Sequence, residues 1–174
     1  MAGFLEPNKI LNKLELRDDM VAAEFGCGSG DFAISLAKKL KEGRVYGLDV
    51  QEEPLSALKG KARSENLFNV ETIRCDLEER GGSTLPDAFL DVVLVPNVLF
   101  QAEDKKAILR EAARVLKQEG QMLVIDWRKG SGLGPKTGRV SAEEVKEMVE
   151  EMGLELEKEF EAGAFHWGLI FKKP

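Results

Sequence analysis

Glu24-Phe25-Gly26-Cys27-Gly28-Ser29-Gly30 follows the apolar run Met20-Val21-Ala22-Ala23 and precedes Asp31-Phe32-Ala33-Ile34-Ser35-Leu36-Ala37. The first flank reads as a buried strand, and the second opens a helix with apolar residues at helical spacing. A strand that turns sharply into a helix needs residues that tolerate positive φ, and glycine at every second position supplies them. With no Cβ atoms, Gly26, Gly28 and Gly30 expose bare backbone beside a helix N-terminus, a surface on which a nucleotide-like ligand can lie. The plain alternative is a turn that only lets strand meet helix.

The pattern outward from this turn is alternating. Strands are expected at Val21–Phe25, Arg44–Val50, Val70–Cys75, Leu90–Val95 and Gln121–Trp127, with helices at Asp31–Lys41, Glu52–Asn66 and Glu103–Lys117. Such alternation gives a parallel sheet covered on both faces. Pro54 sits in the permitted first turn of its helix, and Gly120 is expected to cap the end of the third. A short amphipathic helix over Pro7–Leu16 is expected to cap the sheet, residues 1–19 serving as lead-in to one domain over 1–174. Ser141 and Glu144 have capping-box spacing, so a further helix should start there and run to Met152. The runs Leu154–Phe160 and Phe165–Lys172 are separated by only four residues, too few for a crossover helix, and must pair as an antiparallel hairpin.

Composition narrows the partners. With 43% apolar and 32% charged residues the chain reads as a soluble globular protein. Its longest apolar runs fall far short of a bilayer span, which predicts no membrane insertion. Met1–Pro7 lacks the basic and apolar regions of a leader, so the expectation is a cytoplasmic protein. A net charge of −6 argues against nucleic acid as partner, leaving a small molecule as the natural one. Cys27 and Cys75 are expected as free buried thiols, and one histidine without a C-x-x-C pattern makes no metal site.

The glycine spacing separates two ligand classes. The dinucleotide fingerprint G-x-G-x-x-G places its third glycine where this chain has Asp31, and an acid there repels a pyrophosphate. The sole tyrosine, Tyr46, is followed four positions on by Val50 and not lysine, which removes a Tyr-x-x-x-Lys reductase pair. E-x-G-x-G-x-G instead resembles the first motif of the class I S-adenosylmethionine-dependent methyltransferases. The C-terminal hairpin extends that resemblance over essentially the whole chain, and Glu111-Ala112-Ala113-Arg114-Val115-Leu116-Lys117-Gln118-Glu119-Gly120 is similar to a block of family members acting on small molecules. It implies a doubly wound α/β fold, a mostly parallel seven-stranded sheet with an antiparallel C-terminal strand, and S-adenosyl-L-methionine as cofactor.

The resemblance also implies roles. Asp49, ending the second strand, should accept from the ribose hydroxyls; Asp76 should accept from the adenine amino group while the Leu77 N–H meets a ring nitrogen. Glu24, a carboxylate in an apolar strand, needs a partner: the methionine end of the cofactor, a salt bridge, or the glycine loop it orients. Pro96 and Asn97 should line the methionine side, Pro96-Asn97-Val98 departing from the N/D-P-P-Y order of enzymes that methylate exocyclic amines of bases or protein glutamine. With Phe25, Gly26, Cys27, Gly28, Gly30 and Val50 these complete the expected cofactor set.

The acceptor should sit beyond the carboxyl ends of the strands. There His166 is a candidate general base, with Asn97 and Asp126 as further catalytic candidates. Trp127, Arg128, Arg139, His166 and Trp167 are the substrate candidates, the glycine-rich, cationic stretch Arg128–Val140 being a lid suited to an anionic substrate or else a plain connection. A protein acceptor and a non-catalytic cofactor-binding sensor stand as alternatives to a small-molecule enzyme.

Overall fold

The computed structural model describes residues 4–174; residues 1–3, which open the stretch read for a leader, lie outside them. The strands are β1 (Val21–Phe25), β2 (Arg44–Asp49), β3 (Val70–Arg74), β4 (Leu90–Pro96), β5 (Leu116–Trp127), β6 (Glu155–Glu161) and β7 (His166–Lys172), in the sheet order β3-β2-β1-β4-β5-β7-β6. Strands β1 to β5 are parallel, and β7 pairs antiparallel with both β5 and β6. The expected hairpin is therefore present, with β7 inserted between its partner and the parallel set.

Among the described residues five α-helices, α1 (Pro7–Leu11), α2 (Asp31–Lys39), α3 (Glu52–Ser64), α4 (Lys105–Val115) and α5 (Ala142–Glu150), cover the sheet. Alternation along the strands divides the core. Ala22, Val92 and Leu94 pack with α1, α2 and α3, whereas Ala23, Phe25, Val93 and Val95 pack with α4 and α5. Buried on both faces, β1 and β4 carry no polar alternation, as central parallel strands should not; the exceptions are Glu24 and, at the start of β4, Asp91, which accepts from Val21 N and pairs with Lys117.

Two boundaries differ from expectation for local reasons. The first helix stops at Leu11, because Lys13 and Leu14 N–H close short turns on Ile10 and Leu11 carbonyls and Glu15 N–H donates to Gln121 Oε1 at 2.8 Å. Gly120 does not cap a helix. Helix α4 ends at Val115, where the carbonyls of Arg114 and Val115 accept from Ala88 and Phe89 N–H, and Leu116 already pairs with Leu90 in the sheet. The register then jumps to Val92 opposite Gln121, a bulge whose left-handed residue is Glu119 at φ 64°. The Ser141–Glu144 capping box forms as expected.

The connection from β3 to β4 contains no helix. It is held instead by two residues one helical turn apart on α4: Glu111 accepts from Ser83 Oγ (2.5 Å), Ser83 N (3.1 Å) and Gly81 N (3.3 Å), and Arg114 bonds Glu111, Asp87 and the Leu85 carbonyl. This connection carries Asp76, Leu77 and Glu78 across the sheet.

Candidate functional site

Chain order reverses between β1 and β4, the switch point at which α/β sheets open a crevice beyond their carboxyl ends. A cleft of about 660 Å³ lies there. Its floor is the glycine turn. Gly28, at φ 46°, has nothing within 4 Å of where a Cβ would stand, whereas a Cβ at Gly26 would meet Val98 Cγ2 at 2.5 Å and one at Gly30 would meet Leu58 Cδ1 at 2.8 Å. Gly26 and Gly30 thus let backbone approach side chains, and Gly28 leaves a surface open to the cleft.

Of the expected cofactor residues, Glu24, Gly26, Cys27, Gly28, Asp49, Val50, Asp76, Leu77, Pro96 and Asn97 line this cleft. Phe25 faces the other way, into the core against α4, and Gly30 packs on Leu58 at the start of α2. Asp49 is placed by β2 and held by two amides, Gly28 N–H on Oδ2 (3.3 Å) and Gln51 N–H on Oδ1 (3.0 Å), which join the glycine turn to the start of α3. Asp76 closes a small turn by accepting from Glu78 N at 2.9 Å.

Glu24 is 3% exposed and accepts from Ala33 N at 2.8 Å, orienting the first turn of α2 over the glycine bend. Burial pushes its carboxyl well above the usual range, against the pull of the Ala33 amide, and Asp31 and Asp49 add repulsion. Asp31 also lines the cleft, steadied by Lys61 at 2.9 Å and Ser29 Oγ at 2.8 Å, which hold its carboxyl below the ordinary value. Glu24, Asp31, Asp49, Asp76 and Glu78 together make a cleft lined by carboxylates, with no lysine or arginine among the described lining residues. Such a wall suits a cation and hydroxyl donors, and it opposes a diphosphate.

The far end is built by β5 and β7. Their register pairs Trp127 with His166, whose rings lie 4.1 Å apart at 41°. Both line the cleft. His166 is 2% exposed, and neither ring nitrogen has a partner. Burial, with Arg128 adding repulsion, pushes the imidazole down to about 4. Because this is the chain's one histidine, NMR of a histidine-labelled sample should show a single imidazole still neutral at pH 5.5. Its share of stability is intact above the unfolded value of about 6.5 and is lost as pH falls toward about 4. An imidazole titrating near its ordinary value would contradict this placement.

The neighbours in register alternate away. Trp167 is buried against α5's side of the sheet, its Nε1 donating to the Val140 carbonyl at 3.1 Å. Asp126 is fully buried and accepts from Phe100 N (3.2 Å) and Trp127 N (2.8 Å), which pins the 3-10 turn Leu99–Gln101 after Asn97; burial raises its carboxyl to about 6. Arg128 pairs with Glu161 at 2.9 Å. Arg139 spends its guanidinium on the carbonyls of Arg128, Ser131, Leu133 and Pro135, strapping the glycine-rich loop to itself. Neither arginine lines the cleft, so the loop's cations do not face an acceptor there.

Sequence reasoning missed Phe4 and Leu5, which wall the cleft from the N-terminal side, and Gln101, Ala102 and Ile108 from beyond β4. It also missed Glu78, whose carboxylate takes Glu103 N (3.3 Å) and Asp104 N (2.6 Å) and so ties the two lips together.

The sequence matches the family model of a methyltransferase domain over residues 16–167. It is similar to the demethylmenaquinone methyltransferase of Listeria welshimeri, 37% identical over 101 residues that make up 58% of this chain and 42% of that protein. It is likewise similar to the enzyme of that name from Lactobacillus johnsonii, 31% identical over 68% of this chain and 48% of the other. The chain thus matches less than half the length of these relatives. Its structure is similar to that of an S-adenosylmethionine-dependent methyltransferase from Aquifex aeolicus, with a TM-score of 0.85 and 26% identity over 96% of this chain and 89% of that one. No helix among the described residues is long and apolar enough to cross a membrane.

Proposed function

The chain belongs to the methyltransferase-domain family of class I S-adenosylmethionine-dependent enzymes, and from that premise we propose that it transfers a methyl group in line to a small or medium-sized acceptor in the cytosol. The observation that carries this reading is the floor at Gly28: bare backbone between Asp49 and the start of α2, ringed by carboxylates. The relatives named for demethylmenaquinone favour a small molecule over a protein acceptor.

In this reading Asp49 takes the ribose hydroxyls with the lone pairs left free by its two amides, and Asp76 with Leu77 takes the adenine edge. Glu24 faces the ammonium of the methionine tail while keeping the Ala33 amide. Bound there, S-adenosylmethionine supplies an electrophilic methyl carbon on a sulfonium. The chain contributes placement: Pro96 and Asn97 confine the methionine end, the Asp126-pinned turn holds Asn97 in position, and Phe4 and Leu5 wall the cleft from the N-terminal side. Orientation of this kind supplies on the order of 7 to 11 kcal/mol.

Asp49→Ala should weaken S-adenosylmethionine binding about ten- to hundred-fold, the equivalent of a charged hydrogen bond or two, with little change in melting temperature. An affinity within about twofold of wild type, against the tenfold expected from such a bond, would place the ribose elsewhere. Methyl transfer is tested by incubating the protein with methyl-labelled donor and a metabolite extract. Label in low-mass products supports the reading. Label confined to proteins assigns a protein acceptor, and tight donor binding with no transfer assigns a sensor.

A further inference from the structure

Three buried polar atoms at one end of the cleft have no partner: Asn97 Oδ1 and the two imidazole nitrogens of His166. Leaving such atoms unpaired is costly, so buried polar groups are normally satisfied. Asn97 is held at φ 54°, in the left-handed region that asparagine enters more readily than most residues other than glycine. Polar atoms kept buried and unpaired along one cleft mark the place of a ligand group.

Resting on the reading of the glycine-turn end as the S-adenosylmethionine site, we propose that Asn97, Trp127 and His166 form the acceptor subsite, and that the acceptor is a neutral planar ring bearing a hydroxyl at the His166 edge and a second hydrogen-bond donor at the Asn97 edge. Each part follows from a property of the site. Charge comes first: carboxylates line the cleft, no lysine or arginine is among its described lining residues, and Arg128 and Lys129, which follow Trp127, are paired with Glu161 and Glu144. An anionic acceptor has no counter-ion there.

Shape comes from the aromatic end. The Trp127 ring is part-exposed, packed on His166 and approached by Gly134 of the loop, and the part of it that lines the cleft is an aromatic wall. Strand β5 lies between β4, which Asn97 follows, and β7, which His166 begins. Two strand spacings of about 4.8 Å therefore separate the two backbones that carry the polar edges, a width that a ring with groups on opposite sides can span.

Hydrogen-bond matching fixes the groups. Asn97 Oδ1 only accepts and so calls for a donor. A neutral imidazole presents either an N–H or a bare nitrogen, and a hydroxyl matches both, accepting from one or donating to the other. A carboxylate matches only the N–H, and an ammonium only the bare nitrogen. In transfer, the hydroxyl oxygen forms its bond to the methyl carbon as the carbon–sulfur bond breaks with its electron pair left on sulfur, and the hydroxyl proton passes to the bare nitrogen of His166. Burial keeps that nitrogen bare and able to accept the hydroxyl's hydrogen bond, and because the same burial disfavours the imidazolium, the proton it takes is passed on to solvent.

The test uses the full chain with S-adenosylhomocysteine and three matched probes: 4-hydroxybenzamide, 4-hydroxybenzoate and 4-methoxybenzamide. Binding is measured by calorimetry and by the resonances of the single imidazole. The expected result is that 4-hydroxybenzamide shifts those resonances and binds about tenfold more tightly than either comparison probe, the equivalent of one hydrogen bond. His166→Phe should abolish the preference over 4-methoxybenzamide and leave that over 4-hydroxybenzoate, while raising the melting temperature, since it removes two unpaired buried nitrogens; a purely structural histidine would instead lower it. Equal binding of the three probes, preference for the carboxylate, or no binding of any probe overturns the proposal. Loss of S-adenosylhomocysteine binding by the wild-type chain would overturn the cofactor reading instead, so the two failures are distinct.

Discussion

Gly28→Val should leave the protein folded and reduce S-adenosylmethionine affinity by more than about a hundredfold, as expected when a side chain occupies the volume of a ligand held by several hydrogen bonds. At φ 46° a non-glycine residue is strained, at about 1 to 2 kcal/mol, but its Cβ meets no protein atom within 4 Å. The new isopropyl group projects into the cleft between Asp49 and the start of α2. Gly26 and Gly30 give the opposite expectation. Their Cβ atoms would stand 2.5 Å from Val98 Cγ2 and 2.8 Å from Leu58 Cδ1, so valine there disturbs packing as well as binding. Thermal denaturation and calorimetry on the three variants separate a ligand floor from a structural turn. If Gly28→Val bound the donor as wild type does, the ligand would not lie on this backbone.

Glu111→Ala should destabilise the fold by about 3 to 5 kcal/mol, the range for removing one partner of a buried ion pair. The loss is compound. Glu111 is 4% exposed, and without it Arg114 keeps a partly buried charge while Ser83 Oγ, Ser83 N and Gly81 N lose their acceptor. Against a typical total of about 5 to 15 kcal/mol, that is a large share. Burial pushes the Glu111 carboxyl up, but the hydrogen bonds of Arg114 and Ser83 outweigh it and hold the group below its ordinary value. A depressed carboxyl contributes stability above the unfolded value of about 4.3 and loses it as pH falls through the folded value. Urea denaturation at neutral and acid pH should therefore show the gap between wild type and Glu111→Ala narrowing in acid. A loss below about 1 kcal/mol at neutral pH, the size of an exposed pair, would mean that the β3–β4 connection holds itself. Because that connection carries Asp76 and Leu77, the variant should also bind S-adenosylmethionine more weakly.

What could be read ahead of the structure was what lies in local pattern. The strand at Val21–Phe25, the glycine bend and the C-terminal hairpin are encoded by neighbours in sequence, through apolar runs, φ preference and loop length. Glu111 and Arg114 illustrate the converse. Their i, i+3 spacing looks like any helix surface pair, and their partners at Gly81 to Asp87 lie about thirty positions away. Arg139 does not serve a substrate as its charge suggests, because composition gives a charge but not its counter-group, here the carbonyls of its own loop. Trp167 was legible in principle: a strand that turns His166 toward the cleft turns the next residue into the core. Gly120 misled because a C-cap glycine and a bulge near a strand's start share the same sequence signature, and pairing with Leu90 draws the chain into the sheet first.

The central claim is that a carboxylate-ringed, side-chain-free bend holds a sulfonium nucleoside and refuses a diphosphate. Calorimetric titration of the purified chain with S-adenosylmethionine and, separately, with NAD tests it directly. Saturable heat at one site for S-adenosylmethionine and none for NAD is the predicted result. Binding of NAD with no response to S-adenosylmethionine would contradict it.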